Sequence, residues 1–238
     1  MRKANNNEIV IFKKKYCKSD ETRIQIRQDF EVIVESHEEV VPGSFVTSFA
    51  TGERKIEDEF VLFTVKDREN EVEYHPIFSV ETARTMLNAW GIKMPPKRSI
   101  LQEVNVGGRG GSSGGVHTKH NDNNKKLRRL ILFARYFMVH HVREPEPMYG
   151  PFKTIYDKLL KHPDWDVRSK DILEVNDKLK KYINGSTNQR KDNYQNLQEY
   201  LDVLEKKIGD RQLKDRNFES LKILLQRYEG LTEEEILF

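Results

Sequence analysis

The chain has 238 residues, 37% of them apolar and 33% charged, a net charge of +3 and a single cysteine, Cys17. That length buries a core without covalent staples, and one cysteine excludes an internal disulfide framework and a cysteine-based zinc site. The opening residues lack the apolar stretch of a secretory leader, and the longest apolar run, Leu130 to Ala134, is far too short to span a bilayer, so a cytoplasmic or nuclear protein with no membrane partner is expected.

Ile9 to Phe12 is a short run rich in β-branched side chains, and Ile24 and Ile26 alternate with Arg23, Gln25 and Arg27. Both read as strands, with Cys17 a small apolar residue on a strand edge. Phe30, Val32 and Val34 alternate with Glu31 and Glu35 and predict a further strand. Pro42-Gly43 marks a turn, Ser44 to Ala50 a strand ended by Thr51-Gly52, and Phe60 to Val65 another. After a polar turn at Asp67 to Asn70, Val72 and Tyr74 complete a hairpin that Pro76 stops. Ser79 then caps a helix over Val80 to Trp90, with Met86, Leu87 and Trp90 as its apolar stripe. Gly91 stands where a left-handed residue would end it. Residues 1–91 thus read as an antiparallel β-rich unit covered by one helix.

Residues 92–124 read as a connector. Pro95-Pro96 breaks any helix, and Gly107 to Gly115 has flexible-linker composition, so disorder is expected over 107–124. From Ile92 to Arg129 the chain carries nine basic and two acidic side chains, a net +7 against −4 for everything else. Four of the cations, Lys125, Lys126, Arg128 and Arg129, fall in the first turns of the next predicted helix, an end its dipole already makes positive. An external phosphate would relieve them; the plainer alternative is that they stretch into water. With Lys97, Arg98, Arg109 and Lys119 they are the candidate nucleic-acid contacts.

Residues 125–238 read as a bundle of about five helices. Lys125 to Val142 carries Leu127, Leu130, Ile131, Ala134, Phe137 and Met138 at helical spacing, with Leu132, Phe133, Tyr136 and Val139 on its other faces, as in a central or interface helix. Pro145 and Pro147 end it. Gly150-Pro151 opens a second helix lined by Phe152, Ile155, Tyr156, Leu159 and Leu160, and closed by His162-Pro163. Ser169 is expected to cap a third, with Ile172, Val175, Leu179, Tyr182 and Ile183, that ends at Asn184-Gly185. Tyr194, Leu197, Leu201, Leu204 and Ile208, then Phe218, Leu221, Leu225 and Tyr228, form two apolar seams on either side of Gly209. They predict a helical hairpin that packs within the bundle or docks a protein partner, a second copy included. The Thr232-to-Glu235 spacing of a capping box closes the bundle with one more turn, the alternative being an acidic–hydrophobic docking peptide, and Trp165 is expected to tuck into the core rather than stand out as a surface anchor.

Chemical signals are sparse. His117 and His120 have ligand-like spacing but lack further ligands, and the adjacent His140 and His141 diverge on a helix, so no metal and no cofactor is expected. Asp58-Glu59 followed by Thr64-Val65-Lys66 approaches the pattern of a metal-dependent nuclease, yet Thr64 stands where a carboxylate is required. Phosphate loops, nucleophile elbows and calcium loops are missing. The sequence therefore predicts an α+β protein acting as a non-enzymatic adaptor in a nucleic-acid–protein assembly. Partners would bind the helical half, and RNA or DNA phosphates the basic junction. A structural or oligomerising component without nucleic acid is the second reading, and an enzyme of unrecognised kind the third.

Overall fold

The computed structural model describes residues 1–41, 43–50, 54–98, 122–139, 148, 150–185, 194–208, 213 and 216–238. It is a mixed α+β protein, strands first and helices after. The described residues up to Arg98 form one compact unit and those from Asp122 onward a second.

The first unit runs β1 (Arg2–Lys3), α1 (Asn6–Tyr16), α2 (Asp20–Asp29), β2 (Glu31–Glu39), β3 (Val46–Thr47), β4 (Lys55–Ile56), β5 (Glu59–Asp67), β6 (Val72–Tyr74), β7 (Ile77–Ser79), α3 (Val80–Ala89) and β8 (Lys97–Arg98). The strands predicted at Ile9–Phe12 and Ile24–Ile26 are corrected to helices, so the unit has three helices rather than one. Both of these corrected helices start at a capping box. Asn5 accepts from the Glu8 amide while the Glu8 carboxylate answers the Asn5 amide, and Ser19 and Thr22 do the same for α2. These caps outweigh the weak β preference of a few isoleucines and valines. Cys17 is therefore not on a strand; it is buried at the C-terminal end of α1.

The main sheet has the order β1-β6-β5-β2-β8, with β7 also on β5. It is antiparallel except at its margins, where β1 joins β6 and β8 joins β2 in parallel. β6 and β7 keep one register against β5, Val65 opposite Tyr74 and Leu62 opposite Ile77, and the Pro76 carbonyl between them accepts from the Phe63 amide at 3.0 Å. Side chains on a strand alternate faces, and β5 is buried on both. Val61, Phe63 and Val65 meet Phe12, Tyr16, Ile26, Met86 and Leu87 of the helices. Phe60 and Leu62 meet Val46 and Ile56 of the β3–β4 hairpin, together with Val40 and Ile77. A central strand covered twice reads as an uninterrupted apolar run, as Phe60 to Val65 nearly does. The strand predicted over Ser44 to Ala50 shrinks to Val46–Thr47. The cap at Ser79 and the left-handed Gly91, at φ 66°, follow the expectation. Pro42 and Thr51-Gly52 lie outside the described residues.

The second unit runs α4 (Asp122–Val139), α5 (Gly150–Lys161), α6 (Ser169–Ile183), α7 (Leu197–Ile208) and α8 (Glu219–Glu229), closed by a 3-10 turn at Glu233–Glu235. Of the segment expected to be disordered, 107–121 lies outside the described residues, while 122–124 are helical and begin α4. Every residue of α4 from Arg129 through Phe137 is buried, the signature of a helix surrounded by its neighbours. Phe133 meets Phe218 edge-on at 6.0 Å, and Phe218 meets Phe238 at 6.1 Å. The tail is locked by Asn176, which donates from Nδ2 to the Glu235 carbonyl (2.9 Å) and accepts at Oδ1 from the Leu237 amide (2.8 Å).

Candidate interaction surfaces

The eight cations singled out in the sequence have different fates. Lys97 and Arg98 form β8 in the first unit. Lys97 Nζ lies 2.9 Å from Glu59 Oε1, whose other oxygen is 2.8 Å from His37 Nε2, so one carboxylate ties side chains from β8, β2 and β5. The Lys97 hydrogen bond holds Glu59 below the usual carboxylate range against partial burial, and His37 adds to it. Lys97 is raised in return, chiefly by the same bond. Arg109 and Lys119 lie outside the described residues, as do His117, His120, His140 and His141.

The remaining four cations belong to α4. Lys126 pairs with Asp122 at 2.8 Å and donates to Ser220 Oγ at 3.2 Å. Ser220 in turn donates to Asn123 Oδ1 at 2.6 Å. Arg129 is buried with its guanidinium 4.9 Å from the centre of the Phe133 ring; it is built into the unit's interior. Lys125 and Arg128 are half-buried. The start of α4 is thus partly an internal joint between helices, which sequence periodicity could not distinguish from a solvent-facing row.

The two seams are turned inward. Leu197, Leu201, Leu204, Phe218, Leu221 and Leu225 are buried in the second unit, and Tyr194 is half-buried. Packing within the bundle occupies them. Among the described members of the set Tyr228 stands out, 60% exposed, with the Arg227 guanidinium 5.3 Å from its ring centre and the exposed Ile223 on the same helix.

Two further surfaces depart from the expectation. Trp165 is 46% exposed rather than tucked away. Its indole stacks on the His162 ring at 3.8 Å and 9°, and Asn124 holds the loop by donating to the His162 carbonyl at 2.9 Å. Beside it, burial alone would raise the Asp171 carboxyl, but hydrogen bonds from Arg168 and Lys158 outweigh burial and leave it lowered. On α1, Val10 and Ile11 are 47% and 65% exposed, while Phe12 and Tyr16 on the opposite face enter the core. Reading Ile9 to Phe12 as a strand hid this division, because only a helical period separates the outward pair from the inward one.

Catalytic geometry is not assembled by the nuclease-like residues. Glu59 and Thr64 occupy opposite faces of β5 by strand parity; Glu59 is engaged by Lys97 and His37, and Thr64 is buried, donating to Glu35 at 2.7 Å. Among the described residues no group of three His, Cys, Asp or Glu side chains is placed to hold a metal ion. Nor is any described helix long and apolar enough to cross a membrane. No protein family, curated protein or solved structure matches this chain.

Proposed function

We propose that this protein is a non-enzymatic adaptor, acting in the cytoplasm or nucleus, that joins protein partners to the phosphate backbone of a nucleic acid. The observation that carries the reading is charge placement: nine basic and two acidic side chains lie between Ile92 and Arg129, in a chain that is otherwise acidic. Backbone binding of this kind needs cations and no base readout. Burial takes Arg129, engaged with Phe133, out of the helical contribution, and Lys126 joins Lys125 and Arg128 only by giving up Asp122 and Ser220. Protein contact through the helical unit moves from the buried leucine seams to Tyr228 and Ile223, the large exposed side chains of α8.

The test is fluorescence anisotropy with a labelled single-stranded RNA and a duplex DNA over a salt series, on the full chain and on the triple variant Lys125→Gln/Lys126→Gln/Arg128→Gln. Affinity falls steeply with salt in the parent, and losing three phosphate contacts lowers the slope of log K against log salt by about 2–3. Absence of binding at low salt, or equal binding by the variant, rejects the phosphate role. Arg129 is left intact because its removal would confound binding with stability, and melting curves of parent and variant check that loss of the Lys126 bond to Ser220 has not done the same.

A further inference from the structure

We infer that Trp165 is a stacking platform for an unpaired base of a single-stranded nucleic acid. The inference rests on the adaptor reading and deepens it, from phosphate backbone in general to a single strand. The indole is 46% exposed and lies flat on the His162 ring, 3.8 Å away and 9° from parallel. Lys158 reaches the same indole, its ammonium 5.7 Å from the ring centre, and bonds Asp171 at 3.1 Å. Lys158 and His162 stand four residues apart on one side of α5 as it ends, since the His162 amide still donates to the Lys158 carbonyl at 3.1 Å. Both therefore cover the indole from α5, and its exposure is on the side turned away.

The platform is set before anything binds. The Trp165 amide donates to the His162 carbonyl at 3.1 Å, closing a turn over Pro163 and Asp164. The same carbonyl accepts from Asn124 Nδ2 at 2.9 Å, and the Trp165 carbonyl accepts from it at 3.5 Å. Asn124 is fully buried in the first turn of α4. A ring held this way loses little freedom when a ligand stacks on it.

The surroundings select what stacks. From Asp157 to Asp171 the chain carries four basic and four acidic side chains, so neither an acidic nor a basic peptide is favoured. An incoming cation would face the Lys158 ammonium. An aliphatic side chain would sit between the exposed Asp164 and Asp166, where a dry apolar contact is not available. A flat neutral ring remains, and every base offers one to an aromatic face whatever its sequence. The two aspartates turn phosphates away from the indole itself, while Asn124 ties the loop to the helix that carries the end of the basic run. Aromatic rings beside a cationic track are how single strands are held. In a duplex the base faces are already stacked on their neighbours and do not reach the indole.

The probe is oligouridine or oligodeoxythymidine about 12 nucleotides long, whichever binds the full chain more tightly, with a duplex of equal length alongside. Tryptophan emission is read during titration, and a labelled copy gives affinities by anisotropy over a salt series. In the parent the single strand quenches emission as a base stacks on the indole. Trp165→Leu keeps an apolar side chain and removes the ring. It abolishes the quenching, leaving only Trp90, whose Nε1 is bonded to the Ile24 carbonyl. It also weakens single-strand binding about tenfold, with the salt slope and the duplex affinity unchanged because no phosphate contact is lost. Trp165→Phe restores most of the affinity. Quenching in the parent needs no variant, so it decides the matter even if Trp165→Leu lowers the melting temperature. The inference is overturned if the parent binds the single strand without quenching, if Trp165→Leu binds it as tightly as the parent, or if duplex binding weakens to the same degree. Intact single-strand binding by Trp165→Leu together with loss of a co-purifying protein would also overturn it and assign the ring to a protein contact. Salt-sensitive binding that ignores Trp165 sinks this inference alone, whereas no binding at low salt sinks the adaptor reading with it.

Discussion

Asn176→Ala tests how the helical unit is closed. Asn176 is fully buried in α6, and its amide makes two hydrogen bonds to the tail backbone, 2.9 Å to the Glu235 carbonyl and 2.8 Å from the Leu237 amide. The Leu237 carbonyl then accepts from the Leu197 amide at 2.8 Å, joining the tail to the start of α7. Alanine removes a donor and an acceptor together. A stranded buried backbone group costs about 1–3 kcal/mol. Glu235 is exposed and Leu237 half-buried, so water recovers part of that, and a loss of about 2–4 kcal/mol is expected. In a unit of this size that lowers the midpoint by about 10 °C. Hydrogen exchange read by mass spectrometry localises the change: amides of the tail and of the first turn of α7 lose protection while those of β5 keep theirs. A midpoint within about 2 °C of the parent, with tail protection unaltered, would refute the claim that this side chain holds the closure.

Glu59→Gln is expected to flatten the acid limb of the first unit's stability. The folded carboxyl lies below its ordinary range because of Lys97 and then His37. Its contribution is therefore present above the unfolded value and lost as pH falls through the folded one, from about pH 5 downward; urea titrations of parent and variant that run parallel through that window would contradict this. Cys17 is buried, and burial pushes its thiol up to about 12, so Ellman's reagent should label the native chain only as fast as the first unit opens and label it at once in denaturant. Prompt labelling of the native chain would exclude the buried position.

What the sequence discloses differs between the units. The helical unit is legible because four of its helices repeat apolar residues over about three turns or more, and long periods are hard to imitate by chance. The first unit contains shorter elements, where two or three isoleucines fit either period. Ile24 and Ile26 look alternating, yet only Ile26 is fully buried, beside a buried Arg23, on a helix that Ser19 had already announced through its cap. The strand at Lys97–Arg98 is two residues long and has no period to detect; it exists because His37 and Glu38 offer a strand edge in register with it. The candidate cations were found as a group by counting, but counting cannot separate Arg129, which enters the interior, from Lys125. The exposed face of α1 needed the helix assignment first and was invisible without it.

The position of the tail also bears on how the chain is made. The described strands of the first unit are all present once Arg98 has been synthesised, whereas α6 and α7 wait for Leu237, and Phe218 waits for Phe238. Translation therefore releases the sheet unit free to settle while the helical unit still lacks its last fastening.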